Sequence, residues 1–199
     1  MLEAIDMKIR SCMKCKLWKT RKKAVPGEGF KETDIMFIGE APGSQEDEHG
    51  VPFIGRAGSV FDDLLKSIDA RRTEVFTTNI LKCRPPKNAD PTENQVKICT
   101  HWLNIQIDII KPKVIITLGN FATQYIMEKF GLSDKIQGIT KIKGKVFKAK
   151  KKDENEESLF IVPLFHPAVA TYSPSKITEL KKDFEILLYT RNYEDLCEE

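Results

Sequence analysis

DIMFIGEAPGSQEDEHGVPFIGRAG, residues 34–58, is the stretch whose reading decides the fold of this chain. It opens with Ile35-Met36-Phe37-Ile38, a short apolar run that suits a buried strand. The run stops at Gly39-Glu40-Ala41-Pro42-Gly43, where glycine and proline end a strand and let backbone approach a ligand closely. An acidic cluster, Glu46-Asp47-Glu48, follows, and then Pro52-Phe53-Ile54-Gly55 holds an aromatic ring between turn residues. A second glycine turn, Gly55 to Gly58, leads toward a helix expected from about Ser59. Strand, glycine loop, carboxylates, aromatic and helix start, in that order, are how an α/β protein builds a site at the carboxyl end of a strand.

Working outward, three more runs read as strands. Val75-Phe76-Thr77-Thr78-Asn79 is β-branched and aromatic, Lys113 to Gly119 is apolar, and Leu159 to Leu164 leads into Phe165-His166-Pro167. Helices are expected over residues 2–10, with Leu2, Ile5, Met7 and Ile9 as packing positions, and over residues 59–69. Others are expected from Pro91 to about Ile110, where Pro112 ends the helix, from Phe121 to Phe130 with Asn120 as its cap, and from Ser175 to Tyr189. Strands alternating with helices imply a parallel sheet covered on both faces. With no internal repeat and no long linker, residues 1–199 are expected to form a single α/β domain. Three strand ends deliver Glu40, Asn79 and His166, and in such sheets the carboxyl ends converge on one rim.

Composition narrows the class. A charged fraction of 31% with a net charge of only +3 describes a soluble globular chain, so clustering of the cations says more than their sum. Lys16 to Lys23 is basic, and Lys141 to Lys152 carries seven lysines; each reads as a solvated segment or as a phosphate-facing one. The lysine-rich segment is expected to pair with the strand at Leu159–Leu164 as a hairpin, with Asp153–Glu157 as its acidic turn. Met1-Leu2-Glu3-Ala4-Ile5-Asp6 has acids where a secretory leader has its basic and apolar regions, and no apolar run reaches membrane-span length, so a cytoplasmic protein is expected. The abundance of Lys and Glu fits a thermophile.

Five cysteines in a cytoplasmic chain argue for metal or cluster ligation rather than disulfides. Cys12 and Cys15 form a CxxC, and Cys83 and Cys99 have fifteen residues between them. Four thiolates can hold zinc or a [4Fe–4S] cluster, buried unliganded thiols are the bland alternative, and spacing does not decide. Cys197, in the acidic tail, reads as a free thiol.

These residues together resemble the family 4 uracil-DNA glycosylases, the iron–sulfur type. The matching pieces are Gly39-Glu40-Ala41-Pro42-Gly43 with Glu46-Asp47, Pro52-Phe53-Ile54-Gly55-Arg56-Ala57-Gly58, Thr78-Asn79, Lys82-Cys83-Arg84-Pro85-Pro86, Lys113 to Gly119, and His166-Pro167-Ala168. The resemblance runs from about Cys12 to the last helix. It implies a three-layer α/β/α sandwich on a central four-stranded parallel sheet, and hydrolysis of the N-glycosidic bond of uracil in DNA without a lyase step. It implies a structural [4Fe–4S] cluster on Cys12, Cys15, Cys83 and Cys99. Glu40 and His166 become the expected catalytic residues, and Gly39, Ala41, Glu46, Phe53 and Asn79 the expected base pocket, while Asp47 and Glu48 read as solvated.

The expected partner is uracil-containing DNA, single- or double-stranded, met by a monomer. The chain departs from the pattern where better-known uracil glycosylases have an aspartate, here Ala41, and where family 4 members continue His-Pro with Leu-Arg-Asn-Pro, here Val169 to Pro174. Tyr172 and Val169 are the candidates there for filling the vacated base stack. Gln124-x-x-Met127-x-x-Phe130 faintly resembles a sliding-clamp-binding box, but lacks the second aromatic and reads first as helix packing. The rival reading from another class is a non-catalytic iron–sulfur or zinc nucleic-acid-binding module, for which losing Asn79 or His166 would change binding little.

Overall fold

The computed structural model describes residues 1–149 and 158–189; the end of the lysine-rich segment, its acidic turn and Cys197 lie outside these. The strands are β1 (Glu28–Gly29), β2 (Ile35–Gly39), β3 (Phe76–Asn79), β4 (Val114–Leu118), β5 (Phe147–Lys148) and β6 (Phe160–Leu164). They form one sheet of order β1-β3-β2-β4-β6-β5. The four inner strands are mutually parallel and are the four expected from sequence. Two-residue antiparallel strands close each edge, so the sheet has six strands rather than four. Such short edges offer little free backbone for unwanted pairing.

The helices are α1 (Leu2–Arg10), α2 (Ser44–His49), α3 (Arg56–Ser67), α4 (Glu93–Ile110), α5 (Asn120–Lys129), α6 (Ile139–Ile142), α7 (Ala168–Tyr172) and α8 (Ile177–Phe184). Alternation along the strands divides the core between the two faces of the sheet. Met36, Ile38, Ile115 and Ile161 pack with Leu2 and Ile9 of α1, Leu103 and Ile107 of α4, and Ile126 and Met127 of α5. Phe37, Ile116 and Val162 pack with Phe61 and Leu64 of α3 and with Leu180 and Phe184 of α8. This is the three-layer α/β/α sandwich. Met127, the middle residue of the clamp-like box, is wholly buried in the first of these layers.

Local expectations shift where tertiary contacts intervene. Of the packing positions expected in α1, Leu2 and Ile9 are buried while Met7 is exposed. The acidic cluster is helical, as α2, and α3 begins at Arg56 rather than Ser59. Asn120 is the first residue of α5 rather than its cap; its Oδ1 accepts from the Ile139 amide at 3.0 Å instead. Among the described residues of the lysine-rich segment, Phe147–Lys148 pairs with β6, while Lys141 and Ile142 end the short helix α6, whose Ile139 and Ile142 are buried three apart. The last helix is interrupted: 3-10 turns at Pro174–Lys176 and Glu185–Tyr189 flank α8. No helix among the described residues is long and apolar enough to cross a membrane.

Candidate active site and cysteine-lined cavity

Register brings the first two site residues together. Gly39 pairs with Asn79 across β2 and β3. A Cβ on Gly39 would collide with Asn79 Oδ1 and lie 2.9 Å from Phe53 Cζ, so only glycine lets the amide and the ring approach this strand end. Phe53 has φ +52°, a left-handed conformation that a non-glycine residue holds only when its surroundings impose it. Arg72 imposes it. Its guanidinium donates to the carbonyls of Phe53, Pro52 (3.2 Å) and Gly58 (3.3 Å), pairs with Asp62, and lies 5.4 Å from the Phe61 ring centroid. Nothing in the sequence singles out Arg72. Its partners lie ten to twenty residues away, and no local pattern announces them.

Glu46 fastens the same turn from the other side. Its Oε1 accepts from the amides of Ile54 at 2.9 Å and Gly55 at 2.7 Å. A Cβ on Gly43 would lie 2.6 Å from Glu46 Oε2, so the loop's second glycine makes room for this carboxylate. Asp47, expected in solvent, is only 4% exposed and accepts from the Lys22 amide at 3.0 Å. Glu48, by contrast, is exposed and pairs with Lys22 Nζ.

His166 follows β6 by two residues and lies near-parallel to the Phe53 ring, with centroids 5.9 Å apart. The amide of Ala168, at the start of α7, donates to His166 Nδ1 at 3.1 Å. A ring nitrogen that accepts carries no proton, so in the neutral imidazole Nε2 bears the hydrogen. Burial pulls the His166 pKa down to about 4, against the opposing influence of the Glu46 carboxylate, so the ring is neutral at physiological pH. Glu40 is half-buried; burial first, and then the Asp90 charge, raise its pKa above the ordinary carboxylate value.

These groups line one cleft of about 400 Å³. Glu40, Ala41, Glu46, Phe53, Asn79 and His166 all border it, and Gly39 lies beneath Asn79 and Phe53. Tyr172, 80% exposed on α7, stands at its rim, whereas Val169 packs into the core. Pro85, Asn88 and Ala89 form a wall that the sequence reading missed. The signal available was turn chemistry: two prolines followed by an Asn, which here has φ +55°.

The same loop, followed back from Pro85, leads to the cysteines. Cys12 and Cys15 after α1, Cys83 after β3 and Cys99 in α4 line one small cavity with Trp18, Arg21, Lys82 and Trp102. Three N–H groups donate to its sulfurs: Arg21 Nη1 to Cys83 at 3.0 Å, the Lys82 amide to Cys99 at 3.2 Å, and Trp102 Nε1 to Cys12 at 3.3 Å. Without a metal, burial raises the Cys83 pKa and pushes that of Cys99 up to about 12, in each case against nearby N–H donors. Among the described residues, no three ligand-type side chains gather as a single metal ion would require. Four thiols around one cavity, with N–H donors on three of the sulfurs, are a donor set that suits a thiolate-bound metal or cluster.

Fold and site together define a class, and comparison with known proteins agrees. The model for the uracil DNA glycosylase superfamily matches residues 26–188. A type-4 uracil-DNA glycosylase of Sulfurisphaera tokodaii is 46% identical over 92% of this chain and 82% of its own length. One from Archaeoglobus fulgidus is 41% identical over 92% of this chain and 90% of its own, and one from Thermotoga maritima 37% over 84% and 82%. The chain belongs to the uracil-DNA glycosylase superfamily and, within it, to the type-4 enzymes.

Proposed function

We propose that this protein is a monofunctional DNA N-glycosylase that removes uracil from single- or double-stranded DNA and leaves an abasic site. The observation that carries the reading is one cleft bordered by a neutral histidine with its proton on Nε2, a carboxamide at a strand end and an aromatic ring held in strained backbone. In duplex DNA the nucleotide must first leave the stack to expose its glycosidic carbon. Phe53 then stacks on the uracil ring. The Asn79 amide accepts from N3–H and donates to O4, a pattern that cytosine reverses.

His166 Nε2 donates to uracil O2. Negative charge grows on the base as the bond breaks, so this donor binds the transition state more strongly than the substrate, and a neutral imidazole suffices. Glu40 holds the water and the sugar–base region, its raised pKa keeping it a usable proton acceptor above the acid range. Ala41 supplies no carboxylate, so electrostatic stabilisation of an oxocarbenium-like sugar carries more of the rate. The two amides that donate to Glu46 Oε1 leave its other oxygen, beside Gly43, to border uracil C5 and exclude a thymine methyl.

Cys12, Cys15, Cys83 and Cys99 are the ligands proposed for a [4Fe–4S] cluster, whose contribution is structural. A Schiff-base lyase is disfavoured because Lys82, the lysine nearest these loops in sequence, is 1% exposed and fully hydrogen-bonded. The test is incubation of iron-replete protein with single-stranded and U·G duplex oligonucleotides, followed by alkali. Cleavage at uracil is expected; its absence would sink the enzyme reading in favour of a nucleic-acid-binding module. Charge-transfer absorbance and about four irons per chain distinguish the cluster from colourless zinc.

A further inference from the structure

Lys82 stands between the two sites. It is three residues after Asn79, one before Cys83, and 1% exposed. An ammonium has three hydrogens, and the acceptors around Nζ match them: Thr78 Oγ1 at 2.6 Å, Gln106 Oε1 at 2.7 Å and the Asn79 carbonyl at 2.9 Å. Thr78 Oγ1 and Gln106 Nε2 in turn donate to the Pro26 carbonyl, at 2.6 and 3.0 Å. The main chain of Lys82 is held as firmly. Its amide donates to Cys99 Sγ, and its carbonyl accepts from the Val25 amide at 2.8 Å. Side chain and main chain together, this one residue therefore joins the end of β3, the buried face of α4 and, partly through Thr78 and Gln106, the loop at residues 25–26.

No carboxylate lies within ion-pair distance of this buried ammonium among the described residues. Lys82 lines the same cavity as the Cys83 and Cys99 sulfurs. A buried cation without opposite charge is costly. Four thiolates around an iron–sulfur cluster carry net negative charge, and the three acceptors on Nζ supply the remaining solvation.

We propose that Lys82 is a positioning residue that couples the cysteine-bound group to base recognition. It answers the charge of the thiolate site and, through Asn79 O and Thr78 Oγ1, sets where the Asn79 carboxamide lies. Gly39 makes the position of that amide critical, because the strand end approaches Asn79 Oδ1 so closely. The inference rests on the uracil-reading role proposed above for Asn79.

The experiment compares wild type, Lys82→Met, and Lys82→Met with Gln106→Leu. The double variant removes a donor together with one of its acceptors, which limits the stability loss. Four quantities are measured: iron per chain, single-turnover uracil excision per iron-loaded molecule, affinity for DNA already carrying an abasic site, and the cluster's reduction potential. Excision per loaded molecule is expected to fall about 10- to 100-fold in both variants, the range for sub-ångström to ångström misplacement. Affinity for abasic DNA stays within about threefold, and the potential moves lower because a buried positive charge is gone.

Unchanged excision per loaded molecule, an unshifted potential, or equal losses in excision and abasic-site binding would each overturn the proposal. If neither Lys82 variant folds with iron, Thr78→Val keeps the charge and removes one anchor. A three- to tenfold loss of excision at normal iron content is then expected, about the worth of one hydrogen bond, and no loss overturns the coupling. Wild type lacking excision would instead defeat the glycosylase reading itself.

Discussion

The cleft and the cysteine cavity share the loop after β3, yet they are assembled on opposite terms. In the cleft, groups that must be exact already have protein partners: Glu46 is held by two amides, His166 Nδ1 by the Ala168 amide, and Phe53 by Arg72. In the cavity, burial works against the charged form of Cys83 and Cys99, and the N–H groups and positive charges of Arg21 and Lys82 favour it. The cleft is organised by the protein before substrate arrives, whereas the proposed cluster would complete the cavity. Damage to the cleft should therefore appear in rate, and damage to the cavity in folding.

His166→Leu breaks the comparison on the cleft side. Uracil excision should fall about 10²- to 10³-fold, as for loss of one donor to a developing oxyanion, while iron content stays at the wild-type value. A matching loss of iron would show that the two regions are not separable. On the cavity side, Cys99→Ser should lower iron content and reduce the melting temperature by about 10 °C, equivalent to about 3 kcal/mol in a chain of this size. Differential scanning calorimetry on both variants reads the contrast directly.

Titration sharpens it. His166 has an ordinary pKa of 6.5 when unfolded and about 4 when folded. Above pH 6.5 neither state holds the extra proton, so it contributes nothing there. As pH falls below 6.5 the unfolded chain binds a proton that the folded cleft refuses, and stability declines by up to about 3 kcal/mol before levelling below pH 4. Denaturant midpoints across that window should show the decline in wild type and a shallower one in His166→Leu. The smallest effect is expected from Gly39→Ala. Its methyl displaces Asn79 or Phe53 by a fraction of an ångström, so kcat/KM should fall about tenfold with little change in melting temperature.

Legibility followed the range of the interactions. The four inner strands were readable because each is a short apolar run closed by Gly, Asn, Pro or His, and their parallel order follows from the helices between them. That Glu40, Asn79 and His166 meet was readable because strand ends in such a sheet converge, and together with Phe53, which stands between turn residues, they border one cleft. The edge strands were not, since two residues carry no period of their own. Asp47 looked solvated because its partner is a backbone amide twenty-five residues away, which composition cannot show.

By itself the sequence determined the layers, the order of the inner elements, and which residue types stand at the strand ends and in the cysteine set. These depend on local apolar period, turn chemistry and motif spacing, all written within a few residues. Only the tertiary structure decided which nitrogen of His166 bears the proton, what holds Phe53 in left-handed backbone, and that Lys82 joins cleft to cavity. Those outcomes rest on hydrogen bonds and burial between segments far apart in the chain, and such contacts come into being only when the sheet and helices have packed.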